Sequence, residues 1–514
     1  MDANNPGVPN SRRRVWLALA VVVAANAELL LRGPGKALAG SLLLLVAAGG
    51  GLAWFAWEQR ERPLVGRRVV LVASVGLLAL AVVRPPTESH DVWSYVMIGR
   101  TVAVHHSDPY QHPSSAFRDD PFRLRVDPVW RHARSVYGPA FVGLAALAVK
   151  VAGDSPTGSR VAFQGLAALA VILCMIVIDR VTRGDPRALA FVGLNVLVVV
   201  TTVNNAHNDA LVGLAALGGV LLAKRRPAMA GALLGAAALV KIAAVLPAGV
   251  LALWLFRDGV RRAAITFGAA VGAVTGLGYL AAGSASLTVL RSASDRINRG
   301  TPWFPIREGL VRLQEGAHPS AKVLAAARAS IGPRLSMLST VAVLSFAVFV
   351  ALRARREPTV IVGAAVIGYV VLAAYIFPWY MVWCLPVVAL MWRSRIAWLA
   401  VGIALANEMA YVPDTRPIGL LKQPPVQSLL QRMQLDFRTF ALPLLSLVAL
   451  AALLRWLSGG ARRIQLDGGA SEAGADTPPG DEDERLDDGA PRQLGVTGGP
   501  IGEDDRDLAD RSID

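Results

Sequence analysis

The sequence predicts an all-α polytopic membrane protein. Hydrophobic residues make up 54% of its 514 positions and the mean hydropathy is +0.47, whereas soluble chains rarely exceed about half apolar. The apolar residues also come in long blocks, most of about 15–20 residues, the length that crosses a ~30 Å hydrocarbon core. Basic residues collect in the short loops between those blocks. Lipid offers no partner for a free backbone N–H or C=O, so this many apolar blocks mean a helix bundle.

Taken in order, spans are expected near 15–31, 37–57, 69–84, 160–179, 188–203, 209–223, 228–241, 242–256, 263–282, 335–352, 359–376, 380–392, 395–411 and 437–457. That is about 12–14 transmembrane helices. The basic groups Arg12–Arg14, Arg60 to Arg68, Arg180 to Arg187, Lys224–Arg226, Arg257 to Arg262, Arg353 to Arg356, Arg393 with Arg395, and Arg455 to Arg463 then all fall on one side. The positive-inside rule makes that side cytoplasmic and puts both termini there. The expected location is the plasma membrane, crossed many times. Gly138–Val151 is too short to span and would invert every later loop, so it is read as a re-entrant or interfacial helix on the outer side.

Two regions read as broken helices. Ala228–Phe256 has 29 residues for two crossings, with Lys241 near its middle, and Thr359–Trp392 breaks at Phe377-Pro378-Trp379. Interrupted helices tend to line cavities, where their freed backbone groups find partners. The expected organisation is a cytoplasmic segment 1–14, a transmembrane domain 15–457 with large outer loops 88–159 and 283–334, and a tail 458–514. From Ile464 onward the tail holds 15 Asp/Glu against 4 Arg, a net −11, which leaves +26 on the remainder of a chain whose total is +15. Such a tail is expected to be disordered and cytoplasmic. At the other end, Arg12–Arg14 followed by Ala25-Asn26-Ala27 has the look of a signal peptide. The apolar run continues through Leu31, which favours an uncleaved first span.

Several classes are excluded or unsupported. The basic excess sits in loops between spans, so it reads as topology and not as nucleic-acid binding. Cys174 and Cys384 both lie inside apolar spans and read as packing residues. His105, His106 and His112 lie near acidic residues without metal-site spacing, so no metal is proposed. No phosphate-binding glycine loop or dinucleotide motif is present, so a nucleotide-sugar donor has no visible home.

Four elements carry candidate chemistry. Asp91 opens an amphipathic stretch directly after a span, with Ser89 as a possible cap, Tyr95 on the same face and Arg100 further along. A carboxylate there can serve as a base or simply cap a helix. Asn204-Asn205-Ala206-His207-Asn208-Asp209 forms a tight polar turn between two spans; a helix cap explains one of these residues but not His207 beside further amides. Lys241 either meets an anion or snorkels to the interface. Finally, Trp130, Tyr137, Trp303, Trp379 and Tyr380 are interfacial aromatics that suit either a membrane belt or sugar stacking.

The runs His90-Asp91-Val92-Trp93-Ser94-Tyr95 to Gly99-Arg100, Asp108-Pro109-Tyr110, Tyr137-Gly138-Pro139, Ala206-His207-Asn208-Asp209-Ala210-Leu211, Ala237-Ala238-Leu239-Val240-Lys241 and Pro378-Trp379-Tyr380 together carry a resemblance. In this order the chain resembles the polyprenol-phosphate-mannose-dependent α-(1→6)-mannosyltransferases of actinobacteria. The resemblance implies the membrane-embedded C-type glycosyltransferase (GT-C) fold. It implies an inverting transfer of mannose from polyprenyl-phosphate-mannose to a mannan or lipoglycan acceptor at the outer face, without a metal or other cofactor. Asp91 maps to the general base, while Arg100 and Lys241 are candidates for the leaving phosphate. Tyr95, Tyr137, His207, Asn208, Asp209, Trp379 and Tyr380 are the expected substrate-binding residues. The implied partners are the polyprenyl-phosphate-sugar donor, a glycan or glycolipid acceptor and the bilayer. The departures are Trp93 and the acidic tail. The alternatives are another polyprenyl-phosphate sugar as donor, or a flippase or transporter for a lipid-linked sugar; the absence of internal repeats counts against transport.

Overall fold

Most apolar blocks of the sequence become helices, because only a helix pairs every backbone group inside its own segment, but the expected span 380–392 folds instead as a 3-10 turn and a five-residue helix. A computed structural model of the chain describes residues 7–32, 38–293, 296–315, 320–353, 357–411 and 424–458. The acidic tail, with Arg462 and Arg463 ahead of it, lies outside the described residues. Among the described residues there is no strand.

The chain runs through α1 (Gly7–Arg32), α2 (Leu38–Glu58), α3 (Arg67–Val83), α4 (Asp91–Ala103), α5 (Pro139–Ala152) and α6 (Pro156–Val181). It continues through α7 (Pro186–Gly193), a π-helical segment Leu197–Asn204, α8 (Asp209–Leu222), α9 (Pro227–Ala238), α10 (Val245–Arg257) and α11 (Arg261–Ala282). Then come α12 (Ser284–Ala293), α13 (Trp303–Glu315), α14 (Ala321–Arg353), α15 (Pro358–Leu372), a 3-10 turn Pro378–Trp383, α16 (Leu385–Ala389), α17 (Arg395–Tyr411), α18 (Pro424–Asp436) and α19 (Leu442–Ser458). Among the described residues six helices are long and apolar enough to cross a membrane, and α7 with the π-helical segment, bent by 43°, makes a seventh span if counted as one. The five shorter apolar helices, of 10–17 residues, include α5 and both halves of the interrupted Ala228–Phe256 region.

Both expected breaks are present. Proline starts α5, α9 and α15 at a position where the missing N–H costs nothing. Between α9 and α10, Lys241 stands in an extended conformation ahead of a 3-10 turn. Between α15 and α16 the chain is irregular from Ala373 to Phe377.

Two apolar cores position the site. The larger one runs through α1–α3, α6–α11, α14–α17 and α19. A smaller one lies between α4 and α5 and joins Val92, Tyr95, Val96 and Met97 to Phe122, Phe141, Ala145 and Phe163. The two helices meet closely at Gly99, where a Cβ would fall 2.3 Å from the Ala145 carbonyl oxygen. The segment leading into α4 is fixed from below. Asn204 Nδ2 donates to the carbonyls of Ala81, Arg84 and Pro85 at 3.0–3.1 Å, which satisfies groups left open where α3 ends. Asn205 Oδ1 accepts from the backbone N–H of Thr87 and of Glu88, both at 3.1 Å.

Candidate active site

Asp91 is the first residue of α4, and its own N–H donates to Ser89 Oγ at 3.1 Å. Its carboxylate is 23% exposed and lines a cavity of about 790 Å³. Burial raises the Asp91 carboxyl from 3.8 to about 6. The Lys241 charge and a hydrogen bond from Ser89 oppose that rise, while the charges of Asp209 and Asp127 add to it.

Tyr137, Lys241, Trp379 and Tyr380 line the same cavity. Tyr95 lies just beneath it, 1% exposed, with its hydroxyl 3.5 Å from that of Tyr137 and its ring edge-on to Tyr137. Residues far apart in sequence thus converge on Asp91 from α4, α5, the α9–α10 break and the α15–α16 break.

His207, Asn208 and Asp209 are fully or almost fully buried and stand behind the cavity wall; none of the three lines it. His207 stacks on Trp379 with centroids 3.8 Å apart, and Trp379 stacks in turn on Phe377 at 4.5 Å. Burial, reinforced by the Lys241 charge, holds the His207 imidazole well below its ordinary value and therefore neutral. The turn that delivers it is strained, since Ala206 adopts φ 61°. Asp209 accepts from Lys241 Nζ at 2.8 and 3.0 Å and from Trp383 Nε1 at 2.6 Å. Lys241 also sits 4.3 Å from the centre of the Tyr380 ring, a cation–π contact. It does not snorkel; a buried carboxylate and two aromatic faces hold it.

Arg100 does not reach the cavity. Its guanidinium bonds Asp120 at 2.8 Å and Asp154 at 2.7 Å and lies over the Phe122 ring. It ties α4 to the loop that holds Asp120 and to the turn between α5 and α6, while Lys241, Arg134 and Arg296 are cations that do line the cavity. Arg134, Arg296, Glu88, Thr201 and Glu408 are lining residues that spacing alone does not single out. Glu408 carried a signal nonetheless, as an acidic residue inside an apolar helix. Among the described residues, no group of His, Cys, Asp and Glu is placed to hold a metal ion.

On one side of the cavity the lining turns apolar, with Leu246, Val250 and Leu253 on α10 facing Val343, Leu344 and Val348 on α14. The same cavity is therefore lined both by a carboxylate and cations and by apolar residues of two packed helices, α10 and α14.

Residues 14–257 match the family described as "Alpha-(1->6)-mannopyranosyltransferase, N-terminal domain". The match covers α1 to α10 and so includes Asp91, Tyr137, His207 and Lys241, but not the aromatic wall around Trp379. The Alpha-(1->6)-mannopyranosyltransferase A of Corynebacterium glutamicum is 28% identical over 166 residues, which cover 31% of this chain and 34% of that protein. The chain thus spans about a third of the length of this curated relative. Over its residues 14–257 the chain is thus similar to the N-terminal domain of the alpha-(1->6)-mannopyranosyltransferases.

Proposed function

We propose that the protein is an inverting mannosyltransferase. It moves mannose from polyprenyl-phosphate-mannose to a mannan or lipoglycan acceptor on the outer face of the membrane. The observation that carries this reading is the single cavity lined both by Asp91 and Lys241 and by the apolar residues of α10 and α14. A lipid-linked sugar has the same two-part character, with a polar sugar phosphate on an apolar chain. The similarity of residues 14–257 to the alpha-(1->6)-mannopyranosyltransferase family supports the transfer of mannose.

In this reading the acceptor hydroxyl attacks the anomeric carbon while Asp91 takes its proton. The new C–O bond forms as the bond to the phosphate oxygen breaks. A carboxylate with a raised pKa suits a hydroxyl that becomes acidic only as it bonds. The departing phosphate keeps the bonding pair. Lys241 directs two N–H groups at Asp209, and an ammonium has a third to offer. Arg134 and Arg296 add positive charge at the same cavity.

The test is transfer of labelled mannose from polyprenyl-phosphate-mannose to a short α-mannoside by membranes carrying the protein. Wild type is expected to transfer label and Asp91→Asn to transfer none while still inserting. Normal transfer by Asp91→Asn removes Asp91 as the base.

A further inference from the structure

Glu88, Thr201 and Glu408 come from the lead into α4, the π-helical segment and α17, and they meet on the wall of the cavity. Thr201 Oγ1 lies 3.2 Å from Glu88 Oε2 and 2.7 Å from Glu408 Oε2. Asn205 Nδ2 reaches Glu88 Oε2 at 3.4 Å. Glu408 is 2% exposed, and its second oxygen, Oε1, has no hydrogen-bond partner. None of these groups enters the proton transfer assigned to Asp91.

The geometry restricts the chemistry of the cluster. A threonine hydroxyl carries one proton and can donate to only one carboxylate. Its contact with the other closes when that carboxyl brings a proton of its own. Two carboxyls joined in this way hold one proton between them; that proton and the hydroxyl proton both close contacts inside the cluster, and Glu408 Oε1 is left as an acceptor. A buried carboxyl oxygen without a partner is costly. A ligand hydroxyl, which both donates and accepts, removes that cost. A phosphate does not, because its charge has the same sign. The cations that suit a phosphate, Lys241, Arg134 and Arg296, are other lining residues of the cavity. The aromatic residues Tyr375 and Phe377 also line it, and such faces pack against the C–H face of a sugar ring.

The geometry points to Glu88, Thr201 and Glu408 as the subsite that grips hydroxyl groups of the transferred hexose and selects the donor sugar. This rests on the reading of the cavity as the site of a lipid-linked sugar. Glu88 stands three residues before Asp91, and Asn205 holds the segment between them, so the grip and the base are set by one anchored stretch of chain.

The experiment is equilibrium binding, which does not depend on transfer. The full chain in detergent is titrated calorimetrically with farnesyl-phosphate-mannose, with its glucose analogue and with farnesyl phosphate alone. Wild type is expected to bind the mannosyl lipid about tenfold more tightly than the bare lipid phosphate, the worth of one or two hydrogen bonds to charged groups, and to rank mannose above glucose. Glu408→Gln and the isosteric Thr201→Val are expected to lose both preferences while still binding farnesyl phosphate, which reports an intact fold. Two variants are used so that one can stand if the other does not fold. Unchanged preferences in a folded variant of each position, or a wild type without any sugar preference, overturn the inference. Sugar-dependent binding in wild type that both substitutions remove, combined with a failure to transfer, leaves this subsite standing and overturns only the transferase reading.

Discussion

His207 Nδ1 lies 3.8 Å from Asp91 Oδ2, so a neutral imidazole faces the candidate base without yet bonding to it. The ring cannot turn freely, because Trp379 covers it and Phe377 backs Trp379. A shift of the Asp91 carboxyl by about an ångström brings the contact to hydrogen-bond length. In the proposed reaction His207 therefore acts on the acceptor only through Asp91, as a positioning residue.

Replacing His207 by Phe keeps the stack on Trp379 and removes the nitrogen. The expected result is a fall in kcat of about 10- to 100-fold, the cost of a base misplaced by about an ångström. His207 is not among the groups that shift Asp91, so the pH at which activity rises is expected to stay where it is in wild type. A displaced pH profile rules out a purely positional role.

Asp91 sets that profile. Its carboxyl is raised to about 6, chiefly by burial, and a general base works only when deprotonated. Below about pH 6 the carboxyl is protonated, so kcat/KM is expected to fall about tenfold per pH unit there and to level off above. The Lys241 charge holds the value down, so Lys241→Met is expected to move the rise to higher pH. Rates measured from about pH 4.5 to about pH 8.5 bracket the rise and check both expectations, and a Lys241→Met profile that moves the other way contradicts the assignment.

The helices, the two breaks and the place of Asp91 at the start of α4 were legible in the sequence because each has a local cause. Apolar runs of membrane length make helices, while Lys241 and Phe377-Pro378-Trp379 interrupt them. The side-chain partners were not legible. Lys241 reads equally well as a snorkelling lysine until Asp209, 32 residues away, is seen to accept from it. Arg100 looks free for an anion until Asp120 and Asp154 are seen to occupy it. The meeting of Glu88 with Glu408 joins distant parts of the chain, and nothing in local spacing encodes a contact at that separation.

Lys241 and Asp209 form a buried pair whose halves depend on each other, with side chains 17% and 0% exposed. Removing one partner leaves a buried charge alone, at about 3–5 kcal/mol. Asp209→Asn and Lys241→Met are each expected to lower the denaturation midpoint in detergent, and the double variant is expected to recover most of the loss. Activity is expected not to recover, because the cation for the donor phosphate is gone. Lys241→Ala is expected to raise the KM for the lipid-linked donor more than that for the acceptor. Equal changes in both sink the phosphate role.

Gly138 joins the two segments that carry Tyr137 and Lys241. Its N–H donates to Val240 O at 3.1 Å, and the Ala140 N–H donates to Leu239 O at 3.0 Å. A Cβ at Gly138 would lie 2.2 Å from that same Leu239 oxygen. The obstacle is backbone, which cannot swing away as a side-chain tip does, so the segments must separate. Gly138→Ala is expected to cost about 1–3 kcal/mol, as overpacking does, and to weaken transfer by drawing Lys241 away from the cavity. Gly143, further along α5, has nothing within 4 Å of its would-be Cβ. Gly143→Ala removes the flexibility of a mid-helix glycine and is expected to be neutral or to stabilise by up to about 1 kcal/mol. Thermal denaturation of the two variants in the same detergent, alongside transfer rates, separates the close approach at Gly138 from a general effect of adding a methyl group to α5. Equal behaviour of the two variants contradicts it.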